Sequence, residues 1–334
     1  MAKSSLIPTV CCVVVLAACG GGGGGGGGGS TPAVPLGISA ANAPAVSGAT
    51  YDNGQLVFTA SALSSAATGV SASSPAQRFD LARFARAQLT KLAGVQSNGV
   101  VVATGAQVTK SQPCGSGGSV AVTLDDLDGN NKLSAGETIK ADFTNCVESG
   151  LTLNGSFTLN AVSLAGDPSQ SGAGPYNITV DFTFSGLSVV ETSNTFLING
   201  GFRLGLVTND RITLNSSISG ASLTATVNSD NTTLSNFADT LTENSTTGAY
   251  SYTSKGTLYS SKLGGTVTFE TIASFQGVGS DYPSSGVMKV TGANQTSLQF
   301  TAVDSGNTKL EVDTNGDSAF EATINKTWAE IDAA

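Results

Sequence analysis

Histidine is absent from the chain, and only 12% of its 334 residues carry a charge. Without histidine there is no Ser/His or Cys/His nucleophile pair and no histidine-ligated zinc. Tryptophan occurs once, at Trp328, and aromatics make up 6% of the chain. That is enough for a core but not for the aromatic platforms on which sugars stack. A pair of catalytic carboxylates is not excluded by spacing, because such partners are often distant in sequence. A carboxylate-based glycan hydrolase therefore stands as a minor alternative to a non-catalytic protein. Basic residues are also few, 15 against 24 acidic ones. An acidic balance of this kind argues against nucleic acid and anionic headgroups as electrostatic partners.

What is present begins with a three-part amino terminus. Lys3 and the terminal amine precede an apolar run of 13 residues, 6–18, which ends in Leu16-Ala17-Ala18-Cys19. As a helix the run spans about 20 Å, too short for a ~30 Å hydrocarbon core. It resembles the signal peptides of bacterial lipoproteins. That resemblance implies cleavage before Cys19, acylation of Cys19 as the first mature residue, and, because Gly20 and not Asp follows, sorting to the outer membrane. Several acyl chains at ~0.8 kcal/mol per buried methylene make a stable anchor. Whether the protein faces the periplasm or the outside is not encoded there.

Ten glycines, 20–29, follow the lipobox, and then Ser, Thr, Pro and Ala dominate to about residue 49. This composition predicts a flexible tether over residues 19–49. The mature chain keeps 316 residues, with 14 basic and 24 acidic side chains. Ser74 and Pro75 suit a helix start. Leu81, Phe84, Ala85, Leu89 and Leu92 then mark one face of a helix over 75–93, with Arg78, Arg83, Arg86 and Lys91 mostly off that face. Residues 50–98 are read as an N-terminal segment containing this single amphipathic helix.

From about residue 99 the apolar period becomes two. Ile178, Val180, Phe182 and Phe184 alternate with Thr179, Asp181 and Thr183; Leu153, Phe157 and Leu159 do the same with Thr152, Asn154, Ser156 and Thr158. Trp328 is read in phase with Phe320 and Ile324, as core. Clean alternation indicates antiparallel strands with one buried and one wet face. The expected fold class is all-β, a large antiparallel meander of 13 to 15 strands over 99–334, as a curved sheet, half-barrel or sandwich. The apolar phase slips at Gly186, as at a bulge. Leu-Asn-Gly-Ser-Phe-Thr-Leu at 153–159 is echoed by Ile-Asn-Gly-Gly-Phe-Arg-Leu at 198–204 and more faintly by Ser-Lys-Gly-Thr-Leu at 254–258.

Of five cysteines, the lipoprotein resemblance implies that Cys11 and Cys12 leave with the signal and that Cys19 is lipidated. Cys114 and Cys146 are left in an oxidising compartment and are expected to form a disulfide. They bracket the sharpest motif of the chain, residues 126–137, and the bridge is expected to restrain its ligands. Asp126, Asp128, Asn130, Ser134 and Glu137 offer oxygens at positions 1, 3, 5, 9 and 12, with the Lys132 carbonyl at 7. The spacing resembles the calcium loop of EF-hands. Asn131 stands where that family has Gly, and the flanks read as strands, so the resemblance implies a structural calcium site and no sensor. A second, weaker candidate places Asp313, Asn315, Asp317 and Glu321 at positions 1, 3, 5 and 9, with the Ala319 carbonyl at 7. It is similar to integrin-type propeller loops, apart from Glu in place of their last Asp. The mature chain also loosely resembles uncharacterised proteobacterial β-rich lipoproteins with a Cys…Asp-x-Asp-Gly…Cys segment. The combined expectation is a lipid-anchored, calcium-stabilised scaffold with a surface or envelope role. Its partner is an unknown protein or glycan, and the alternative is a carrier of hydrophobic ligands or lipids.

Overall fold

The computed structural model describes residues 34–55, 106–130, 133–148, 150–166, 174–191, 194–279 and 281–334, with backbone alone at 52–55, 106, 191 and 194. The lipobox, the glycine run and the 75–93 helix lie outside the described residues.

Among the described residues, fourteen strands form one antiparallel sheet in sequence order, and the sheet does not close. They are β1 (Ala106–Pro113), β2 (Ser119–Asp126), β3 (Thr138–Glu148), β4 (Leu151–Ala165), β5 (Tyr176–Glu191), β6 (Asn194–Thr208), β7 (Thr213–Val227), β8 (Asp230–Asn244), β9 (Ala249–Ser260), β10 (Gly265–Val278), β11 (Ser285–Thr291), β12 (Ser297–Ala302), β13 (Asn307–Asp313) and β14 (Ala322–Thr327). Every connection is a direct return, as a meander requires, and the strands make one open sheet.

The alternation in the sequence accounts for the two faces. On β5, Ile178, Val180, Phe182 and Phe184 are buried, and Thr179, Asp181 and Thr183 point away from them. The buried face is a continuous apolar layer in which Phe157, Phe182, Phe184 and Phe202 pack ring to ring at 5.4–6.4 Å. The other face is wet and carries cross-strand pairs. Arg203 grips Asp181 with two bonds of 2.7 and 2.9 Å, and threonine hydroxyls meet across strands at Thr109–Thr123, Thr224–Thr233 and Thr240–Thr253.

A line of bulges crosses the sheet. Register shifts occur near Asn145 on β3, Gly155 on β4, Gly186 on β5, Gly200 on β6 and Asn236 on β8, each with a positive φ. The registers place these irregularities opposite one another, which makes them a crease, since each bulge bends its strand. The repeated Asn-Gly pairs sit in it. Asn154 Oδ1 accepts from the Asn145 N–H and Asn199 Oδ1 from the Gly186 N–H, both at 2.8 Å. Each asparagine thus satisfies an N–H that the neighbouring bulge has taken off the ladder. The glycines are needed for space and for conformation: a Cβ on Gly155 would come within 2.0 Å of the Gly186 carbonyl oxygen, and one on Gly200 within 2.3 Å of that of Ser222.

Among the described residues, two α-helices lie at the β9–β14 end. The composition predicts a tether to about Ala49, whereas residues from Val34 onward are part of the folded body, with Ile38, Ala43 and Val46 buried. Leu36 bonds to Thr266 and Ala293 through the backbone, and the Ile38 N–H donates to Thr296 Oγ1. Helix α1 (Ala43–Gln55) follows, with Pro44 in the first turn, where its missing N–H costs nothing. Trp328 is buried as expected but belongs to a short helix, α2 (Trp328–Asp332), and not to a strand. Phe320, read in phase with it, is 44% exposed in a loop. Tyr51 of α1 joins Tyr252, Phe275, Phe300 and Trp328 in one ring cluster at 4.7–6.2 Å.

The disulfide is present, Cys114 to Cys146, with a Cα–Cα distance of 5.4 Å. It joins the β1–β2 turn to the end of β3 and so staples the edge hairpin to the third strand. Closing a loop of this size stabilises the fold by about 3–4 kcal/mol in the chain-entropy picture.

Candidate metal-binding loops

Two groups of carboxylates converge among the described residues. Asp126, Asp128 and Glu137 bring one oxygen each to within 4.8 Å of one another, and so do Asp313, Asp317 and Glu321. Both groups sit at strand reversals, the first between β2 and β3, the second between β13 and β14. Both first aspartates, Asp126 and Asp313, are the last residues of their strands and are buried.

In the first loop, Asp126 Oδ1 accepts from the Gly129 N–H at 2.7 Å. Glu137 is buried and reaches back across the turn: Oε1 accepts from the Leu127 and Asp128 N–H groups at 2.9 and 3.3 Å, and Oε2 from Ser134 at 2.7 Å. Gly129 and Gly136 supply the positive φ the turn requires. The Asn130 amide donates to Asp128 Oδ2 and to Ser134 Oγ, both at 2.8 Å. The Ser134 hydroxyl, followed by the Asn130 N–H, holds Asp128 below the ordinary carboxylate range. Lys132 and Asn131 lie outside the described residues.

The second loop repeats the arrangement with different spacing. Asp313 Oδ1 accepts from Asn315 and Gly316, and Oδ2 from Ser318. Burial pulls the Asp313 pKa upward, but the N–H groups of Gly316, Ser318, Asn315 and Asp317 outweigh it and leave the pKa lowered. Glu321 Oε2 accepts from the Thr314 N–H at 2.7 Å, the counterpart of Glu137 and Leu127. The Asn315 amide donates to Asp317 Oδ2 and Glu321 Oε1, both at 3.2 Å. The Ala319 N–H donates to Asp317 Oδ1 at 2.8 Å.

Each cluster therefore has an asparagine NH₂ set between two anionic or hydroxyl oxygens. An amide donor partly offsets like charge; a cation does so far better. Rotating either amide by half a turn would present Asn130 Oδ1 or Asn315 Oδ1 instead, giving an all-oxygen donor set of the kind hard cations select. The residue types fit calcium and offer nothing to a thiolate- or imidazole-seeking metal. No known protein family, curated protein or solved structure matches the chain.

The two loops lie at opposite edges of the sheet, because β2 and β13 run in opposite senses through the meander. The disulfide shares the edge of the second loop. It stands the length of β2, about 25 Å, from the loop that it brackets in sequence, and so does not restrain the ligands of that loop. The second loop instead packs on the β11–β12 connection, where Gly316 lies against the Asn294 carbonyl. Leu36 and Ile38 bond to Ala293 and Thr296 of the same connection.

One polar cluster was not visible in the sequence. Asp239 on β8 is 1% exposed on the apolar face and accepts a short hydrogen bond from Ser254 Oγ on β9. Asp239 Oδ2 and Ser216 Oγ on β7 have no hydrogen-bond partner. Burial pushes the Asp239 pKa up to about 8, against a smaller downward pull from Ser254. Beside it the β9–β10 ladder is interrupted, and the Thr271 hydroxyl serves both the N–H and the carbonyl of Ser254. Phe237, Asp239 and Leu241 share the buried face, so the aspartate stands where the period-two pattern calls for an apolar side chain.

Proposed function

We propose that the protein is a non-catalytic scaffold held at the outer membrane by acyl chains on Cys19 and a glycine tether, its β sheet stabilised by structural calcium and its wet face used for surface interaction or envelope maintenance. What carries the reading is the convergence of Asp126, Asp128 and Glu137 at a strand turn, in the order and spacing that the sequence anticipates. In this reading Asp126, Asp128, Asn130, Ser134, Glu137 and the Lys132 carbonyl hold the first ion. Asp313, Asn315, Asp317, Glu321 and the Ala319 carbonyl hold a second, weaker one. The ion supplies charge neutralisation and a fixed turn, and no reaction step passes through it.

Extracellular calcium modules bind at ~10⁻⁴ to 10⁻³ M. At ten times the dissociation constant, binding stabilises the folded state by ~1.4 kcal/mol, a rise of a few degrees in Tm for a chain of this size. Thermal unfolding in millimolar calcium against chelator is expected to show that rise. Asp128→Ala removes most of it and Asp313→Ala less. Coincident melting curves, with no heat of calcium binding in calorimetry, would reduce both loops to acidic turns.

A further inference from the structure

Between β7, β8 and β9 the apolar layer of the sheet holds three small polar side chains. Asp239 is 1% exposed, Ser254 2% and Ser216 4%. Asp239 stands opposite Ile218 on one side and Ser254 on the other, and Ser216 stands opposite Leu206 and Leu241. Ser216 and Asp239 are therefore diagonal neighbours on one face. Ser254 has a single hydroxyl hydrogen and gives it to Asp239 Oδ1. The Thr271 hydroxyl is taken up by the Ser254 backbone. That leaves Asp239 Oδ2 and Ser216 Oγ, both buried, with no hydrogen-bond partner in the protein.

Buried oxygens of this kind are rarely left unbonded, because water bonds them in the unfolded chain. The spacing says what can join these two. Diagonal neighbours in an antiparallel pair stand ~7 Å apart, and this pair does not bond directly. Two hydrogen bonds of ~2.8 Å that meet at one water span roughly 4.5 Å between their outer oxygens. A carboxyl and a short hydroxyl reaching toward each other leave a gap of that order. Ser216 is also the small residue between two leucines, which gives the site room. A hard cation such as calcium takes about six or more oxygens, and one carboxyl with two hydroxyls falls short of that. A buried water needs only about two to four polar partners. We infer that one internal water binds between Asp239 Oδ2 and Ser216 Oγ and completes a hydrogen-bonded chain from β7 to β9. That chain ties three strands together beside the interruption of the β9–β10 ladder. One water serves the acid and the carboxylate alike, so the upward push of burial on Asp239 persists. The inference rests neither on calcium nor on the lipid anchor.

The test is a crystal structure of the protein beginning at Gly20, which leaves the compact unit from residue 33 onward whole, at a resolution that shows ordered water. A peak within ~2.6–3.2 Å of both Asp239 Oδ2 and Ser216 Oγ is expected. A direct bond between the two side chains, another side chain in that position, or no peak would overturn the inference. So would an anomalous signal at the site in crystals grown with rubidium chloride, which would give it to a cation. In solution, oxygen-17 relaxation dispersion counts the waters held for longer than the molecule takes to tumble. Ser216→Val removes one partner and fills the room, and is expected to lower that count by one. Melting curves check that the variant folds, and the crystallographic reading of the natural chain stands whether or not it does. A folded Ser216→Val protein with the same count as the natural chain would also overturn the inference.

Discussion

At the scale of single residues, Asp239 is the least comfortable side chain in the fold. A carboxylate buried with one hydrogen bond and a free oxygen favours its neutral form, and burial pushes the pKa up to about 8. In the unfolded chain it titrates near the ordinary aspartate value of ~3.9. Between those values the unfolded state has released a proton that the folded state keeps. Its stabilising contribution is therefore complete below about pH 4 and is lost as pH rises toward 8, at up to ~1.4 kcal/mol per pH unit. Asp239→Asn keeps an acceptor for Ser254 Oγ and does not titrate. Urea unfolding at pH 5, 6, 7 and 8 and constant calcium is expected to show the variant gaining on the natural chain as pH rises. Parallel stability profiles would mean that Asp239 is solvated or otherwise partnered.

At the scale of elements, the crease is what the faint repeat encodes. The alternation of β5 is legible residue by residue, and the phase slip at Gly186 marks its bulge correctly. The Asn-Gly pairs at 154–155 and 199–200 stand out in sequence only as similarity. Their reason is the N–H that each asparagine collects from the strand beside it, which a single strand does not reveal. Gly200→Ala forces a side chain onto a backbone at φ +99 with a carbonyl in its way, and is expected to cost on the order of 2–4 kcal/mol. Asn199→Ala forfeits one hydrogen bond, about 1 kcal/mol. Denaturant midpoints should rank the two in that order; equal, negligible losses would show that the bulges are not needed to bend the sheet. The C-terminal helix is hidden in the sequence for a related reason. Thr327 and Glu330 form a reciprocal capping box, but the period-two phase of Phe320, Ile324 and Trp328 masked it.

For the whole molecule, anchoring and architecture are separate questions. In the proposed function the lipobox carries the anchor, so Cys19→Ser is expected to abolish fatty-acid labelling and move the protein from the membrane to the soluble fraction. Continued labelling of the variant would place the lipid, if any, elsewhere. The architecture is an open sheet with its apolar face turned inward. In such a sheet the edge strands are the exposed templates for pairing. The disulfide fixes the β1–β2 hairpin to β3 at one margin, and Lys326 with the capped α2 guards β14 at the other.

The sequence by itself determined the class of fold, the number of strands within one, the disulfide and which carboxylates meet at each loop. The strands follow from a period that burial imposes directly, the carboxylate groups from contacts close in the chain, and the disulfide, 32 residues apart in sequence, from the count of cysteines. Tertiary structure alone decided that the meander stays open, that the two acidic loops occupy opposite edges, and that residues 34–49 belong to the folded body. It also decided that Asp239 is left with one hydrogen bond from Ser254 and an unpartnered Oδ2. Those outcomes depend on how bulges on separate strands line up and on which surfaces remain to be covered once the sheet has bent. Such quantities exist only between strands, so no local pattern contains them.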